Sequence, residues 1–125
     1  MTKEQEQEFI TLAKKLVQGT KVQRTRGTKV VVLEVDITWE DLYLILTDQK
    51  FKCALSGVDL IPGYGKIRHP LYEAYHPLAP SLDRINDDIG YRKDNVRIIL
   101  RLLNLGLSAY KGDEGAVLKT LGLSS

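Results

Sequence analysis

Apolar positions in residues 2–18 recur at helical spacing: Phe9, Ile10, Leu12, Ala13, Leu16 and Val17 would share one face. Gly19 is the natural stop. Glu4, Glu6 and Glu8 crowd the first turns and Lys14 and Lys15 the last, which suits the helix dipole. The segment TKVQRTRGTK that follows has no apolar period, and residues 30–37 are rich in β-branched side chains and read as extended. Thr38 followed by Asp41 is a near match to a capping box. It opens a second helix, TWEDLYLILTDQ, whose apolar side carries Trp39, Leu42, Tyr43, Ile45 and Leu46. Residues 50–60 (KFKCALSGVDL) read as a short hairpin or knuckle, with Gly57 as a permissive position.

Residues 61–80 hold all four prolines and both histidines, His69 and His76, and read as one long loop. Strand, turn-rich loop and strand come next, in SLDRI, NDDIGYRKD and NVRIIL. RLLNLGLSAYK reads as a helix, and Asp113 caps a last short one that Gly122 ends. The expected class is α+β. Residues 1–37 form an N-terminal helix and basic extended arm, and residues 38–125 form the core with its C-terminal helix.

Composition narrows the function classes. A chain of 125 residues with 43% hydrophobic content supports one domain with a modest core. Its apolar runs are too short to span a membrane, and the first residues lack the layout of a secretory signal, so the expected location is cytoplasmic. A net charge of +2 is too small to argue for nucleic acid by itself. Its distribution says more: residues 9–33 carry Lys14, Lys15, Lys21, Arg24, Arg26 and Lys29 and no acidic residue. Lys21, Arg24, Arg26 and Lys29 fit a phosphate-contacting arm. Arg92, Lys93, Arg97, Arg101 and Lys111 cluster near the candidate site and extend the same footprint. The single cysteine, Cys53, forms no internal disulfide and reads as a small buried residue.

The chemistry concentrates in residues 80–106. Asp83 sits on one strand, Asn95 opens the next after a loop containing Gly90, and Asn104 lies on the following helix. Such a unit can bring Asp83 and Asn104 together, and oxygen ligands completed by water and phosphate suit magnesium. SLDRIN and GYRKDNVRIILRLLN, with the upstream LTDQKFKCALSGVDL, resemble the phage-type branch of the HNH endonucleases, over about residues 37–111. The resemblance implies a ββα-metal fold and a Mg2+- or Mn2+-dependent endonuclease that cuts DNA to a 3′-hydroxyl and a 5′-phosphate. It assigns Asp83 and Asn104 to the metal and Asn95 to the loop that orients the base. The host it suggests is a bacterial or phage-infected cell. Cutting both strands at once would take two copies, hence a possible homodimer.

The chain departs from that pattern twice. The four zinc cysteines of many members correspond here to Cys53, Ser56, Leu100 and Leu103, so no structural zinc is expected and apolar packing against Ala54 or Leu55 takes its place. Where the family usually has its general-base histidine, this chain has Arg84, a poor base but a good phosphate clamp. The water could then be activated by His76, by His69 or as metal-bound hydroxide. Two other function classes stay open: a DNA-binding protein that no longer cuts, and a protein–protein interaction module using Leu100, Leu103, Leu105 and Leu107.

Overall fold

A computed structural model of the chain describes residues 1–20, 24–26, 29–31, 34–66, 76–109, 112–120 and 122. Helix α1 (Lys3–Gly19) starts at a full capping box: Gln5 N–H donates to Thr2 Oγ1, and the Gln5 side chain accepts from Thr2 N–H. Helix α2 (Trp39–Asp48) starts the same way, with Thr38 and Asp41 bonded reciprocally at 3.0 and 3.2 Å. Leu42 and Leu46 are fully buried on its apolar side.

The strands form three two-stranded sheets among the described residues. Strands β1 (Arg24–Arg26) and β2 (Lys29–Val31) pair antiparallel. The basic arm therefore contains an antiparallel strand pair rather than a single extended run. Strands β3 (Val35–Asp36) and β5 (Tyr91–Arg92) pair parallel. Strands β4 (Pro80–Arg84) and β6 (Val96–Leu100) pair antiparallel, with Asp83 opposite Arg97. Helices α3 (Arg101–Ala109) and α4 (Glu114–Thr120) complete the chain, α4 capped by Asp113, whose Oδ1 accepts from Ala116 N–H at 3.0 Å.

The architecture is mixed α and β, packed around two apolar clusters. The larger joins Phe9 and Leu12 of α1, Leu46 of α2, Ile98–Leu100 of β6, Leu103 and Leu107 of α3 and Val117 of α4. The smaller holds Ala13, Ile37, Leu42, Tyr91 and Val96. Cys53 is buried in the larger cluster beside Leu100 and Leu103, with Leu55 at its margin, while Ala54 is exposed. Lys50 and Phe51 take positive φ values of 57° and 58°, which turn the chain out of α2 into the knuckle.

Leu100, Leu103 and Leu107 are core residues, and of the proposed interaction stripe only Leu105 is exposed. The interaction-module reading therefore loses its surface: the stripe is the face by which β6 and α3 bury themselves. No helix among the described residues is long and apolar enough to cross a membrane.

Candidate metal and nucleic-acid site

Strand β4 runs out to Arg84, the loop of residues 85–95 turns back, and β6 leads directly into α3. Asn95 closes that loop from inside. Its Oδ1 accepts from Asn86 N–H at 2.9 Å, and its Nδ2 donates to the carbonyls of Asn86, Ile89 and Gly90 at 3.1, 3.3 and 3.0 Å. One N–H donor on the oxygen side and three carbonyl acceptors on the nitrogen side fix the amide orientation. A backbone bond from Ile85 N–H to Asn95 O, 2.8 Å, pins the loop base.

Arg84 points into the same loop. Its Nη1 donates to the carbonyls of Asp87 and Ile89 at 2.6 and 3.3 Å, and the guanidinium lies 5.5 Å from the centre of the Tyr91 ring. It braces the loop, so a clamp on phosphate would have to use the remaining guanidinium nitrogens.

Asp83 and Arg97 face each other across the hairpin. Arg97 Nε donates to Asp83 Oδ2 at 2.8 Å, and Arg97 Nη2 donates to Glu114 Oε1 at 2.7 Å. Arg97, placed in the nucleic-acid footprint on sequence grounds, is therefore an internal bridge with only 18% of its side chain exposed. Sequence reasoning missed Glu114 altogether: it lies 17 residues from Arg97, and no local spacing announces the contact. Burial pushes the Asp83 carboxyl above its ordinary value; the bond and charge of Arg97 pull it back only in part, and Asp87 and Glu114 add to the rise. Burial alone would lower the Arg97 value, but two carboxylates outweigh it and hold the guanidinium above its usual range. One cation between two anions satisfies itself better than it satisfies either partner.

The direction for Asp83 sets a sign for stability. Because the folded chain holds this proton more tightly than the unfolded one, stability falls as pH rises from the ordinary carboxyl value through the raised folded one, then levels off. Asp83→Asn, which resembles the protonated form, should match or exceed the wild-type melting temperature at neutral pH in EDTA. The difference should vanish on acidification. A lower melting temperature for Asp83→Asn at neutral pH would show that the ionised pair stabilises the fold.

Asn104 reaches β4 from α3. Its Nδ2 donates to Ser81 Oγ at 2.9 Å and to the Leu82 carbonyl at 3.3 Å. The carbonyl can only accept, so the amide oxygen is the free end, and it has no hydrogen-bond partner among the described residues. Ser81 and Asp83 lie two apart on one strand and so face the same side. Asn104 is thereby held next to the Asp83 strand, and Ser81 is a further site residue that the sequence did not flag.

The donor types present, a carboxylate and an amide oxygen, fit a magnesium-like ion that keeps most of its water. Among the described residues no three His, Cys, Asp or Glu side chains gather as a metal group.

His76 lies elsewhere in its contacts. Its ring stacks on Tyr64, centres 4.2 Å apart and 5° from parallel, and its Nδ1 accepts from Leu78 N–H at 3.0 Å. That bond occupies Nδ1 in this arrangement. No hydrogen bond among the described residues joins it to Asp83 or Asn104. His69, Lys21 and Lys111 lie outside the described residues, and for Arg24, Arg26 and Lys29 the backbone alone is described.

The remaining cations divide. Arg92 and Lys93 line a depression shared with Asp36, Asp41 and Asp94, and Arg92 sits 3.7 Å from Asp94. Their field is mixed rather than uniformly positive. Arg101 instead lines a cleft of about 260 Å³ with Lys15, Leu16, Pro80 and Ser81. That cleft shares Ser81 with the Asp83–Asn104 face and brings in Lys15, which sequence reasoning had left to the helix dipole.

Comparison with known proteins adds no neighbour: no family model, no curated protein and no solved structure matches this chain.

Proposed function

We propose that the chain is a divalent-metal-dependent endonuclease of the HNH type, hydrolysing DNA phosphodiester bonds on a ββα-metal core made of β4, β6 and α3. The observation that carries this reading is the bond from Asn104 to Ser81, which ties the helix amide to the strand of Asp83. Asp83 and Asn104 would hold Mg2+ or Mn2+. Such an ion, when bound, stabilises charge on the oxygen that leaves as the phosphodiester is cut.

The chain's own residues do the rest. Asn95 and Arg84 hold the loop rigid through its carbonyls, so that β4 and β6 present Asp83 at a fixed place. Lys15 and Arg101 flank the adjoining cleft, where positive charge suits a phosphate backbone. Such contacts hold DNA without reading its sequence.

A second reading, a DNA-binding protein that no longer cuts, is favoured by one observation: Asp83 Oδ2 is bonded by Arg97 rather than free. One experiment separates the two. Supercoiled plasmid is incubated with the protein in Mg2+, Mn2+ or EDTA, alongside Asp83→Ala. Metal-dependent nicking that Asp83→Ala reduces by roughly a hundredfold or more is the nuclease result. A salt-sensitive shift of the plasmid without nicking establishes the binder, and neither shift nor nicking removes both.

A further inference from the structure

We propose that Arg97 is a resident counter-cation that occupies Asp83 until a divalent metal binds, and that Glu114 is the carboxylate that then takes the whole guanidinium. The inference rests on the reading of Asp83 as a metal ligand and adds two residues, one of them on a helix outside the two-strand-plus-helix unit.

The geometry is that of a shared ligand. Nε, bonded to Asp83 at 2.8 Å, and Nη2, bonded to Glu114 at 2.7 Å, form one edge of the planar guanidinium. That edge commonly takes a single carboxylate with two parallel bonds. Here it is divided between two carboxylates, one nitrogen each. Either acid could accept both bonds if the other withdrew.

The two acids differ in freedom. Asp83 is fixed in β4 with 10% of its side chain exposed, whereas Glu114 is 48% exposed at the first position of α4 and can follow the guanidinium. A divalent ion at Asp83 would sit against a like charge unless Arg97 moved aside. Glu114 supplies the place to move. The three groups together carry one excess negative charge, so the cluster still attracts a cation with Arg97 in place.

Helix α4 is held where this requires. Val117 is buried against α3 at Gly106, where an added Cβ would come within 2.9 Å of Val117 Cγ1. The missing side chain at Gly106 lets α4 approach, and Asp113 caps its start. Glu114 is thus delivered to Arg97 by packing rather than by the ion pair alone.

The test is metal binding by the full-length, EDTA-stripped protein, read from the free Mn2+ signal in electron paramagnetic resonance. Arg97→Gln should bind Mn2+ about tenfold more tightly than wild type, and Glu114→Gln more weakly by a similar factor. Asp83→Asn should lose the site. In the wild-type chain the Arg97 Nε–H resonance should move as Mg2+ is added; this needs no substitution, so it stands even if a variant misfolds. Asp83-dependent binding of equal strength in wild type, Arg97→Gln and Glu114→Gln, with an unmoved Nε–H signal, overturns the role of Arg97 and leaves the nuclease reading intact. Absence of Mn2+ binding in both wild type and Arg97→Gln overturns the metal reading and this inference with it.

Discussion

Asn95→Ala should cost about 2–4 kcal/mol of folding stability, a large effect for one polar side chain. Asn95 is 5% exposed and its amide serves four backbone groups, three carbonyls and one N–H. Alanine fills none of those bonds, and the Gly90 carbonyl, whose bond is buried, and the part-buried Asn86 N–H both lose a partner. Denaturant unfolding measures the loss. Asn95→Asp separates donor chemistry from space filling: it keeps the shape but turns a carboxylate oxygen toward three carbonyls. It should destabilise at least as much as alanine at neutral pH. If Asn95→Asp is as stable as wild type, the amide is not holding the loop.

Gly90→Ala should cost about 3 kcal/mol or more, through a clash rather than a lost bond. A Cβ built at Gly90 lies 2.4 Å from the Glu34 carbonyl oxygen and 2.7 Å from Glu34 Cβ. The obstacle is mostly backbone, so no rotamer change relieves it. The same carbonyl accepts from Tyr91 N–H at 2.7 Å, the bond beside the parallel pairing of β3 with β5. Pushing it away should open that pairing, seen as fast hydrogen exchange at Tyr91. Slow exchange at Tyr91 with unchanged stability would show that the two strands accommodate the added methyl group without separating.

Both positions show what the sequence could and could not tell. The amphipathic helices were legible because their signals are local: Thr38 and Asp41 mark the start of α2, and Leu42 and Leu46 recur on its buried face. The β4 and β6 strands were legible from SLDRI and NVRIIL, within a residue or two of their ends. Strand β5 was not. Two residues, Tyr91 and Arg92, carry no alternation, and their partner β3 lies more than fifty residues earlier. Gly90 looked like a turn glycine, yet its requirement comes from that distant strand.

The site divides along the same line. Asp83, Asn95 and Asn104 could be singled out from spacing and resemblance. Arg97 was read as part of the nucleic-acid footprint because a sequence cannot say that it stands opposite Asp83 and within reach of Glu114. That takes the hairpin register and the packing of α4 on α3 together. The place of His76 was likewise invisible in sequence: its ring stacks on Tyr64 and its Nδ1 accepts from a backbone N–H.

Gln49, just past α2, has a consequence of another kind. Its side-chain amide bonds Ile98 on both sides, accepting from the N–H at 3.0 Å and donating to the carbonyl at 2.8 Å, and Ala54 N–H bonds that carbonyl as well. A side chain here does the work of a neighbouring strand. The outer edge of β6 is blunted at its middle, where an open edge would invite a second chain to add itself and grow a sheet. The middle of this edge of β6 is therefore closed to a further strand, because both backbone groups of Ile98 are already bonded.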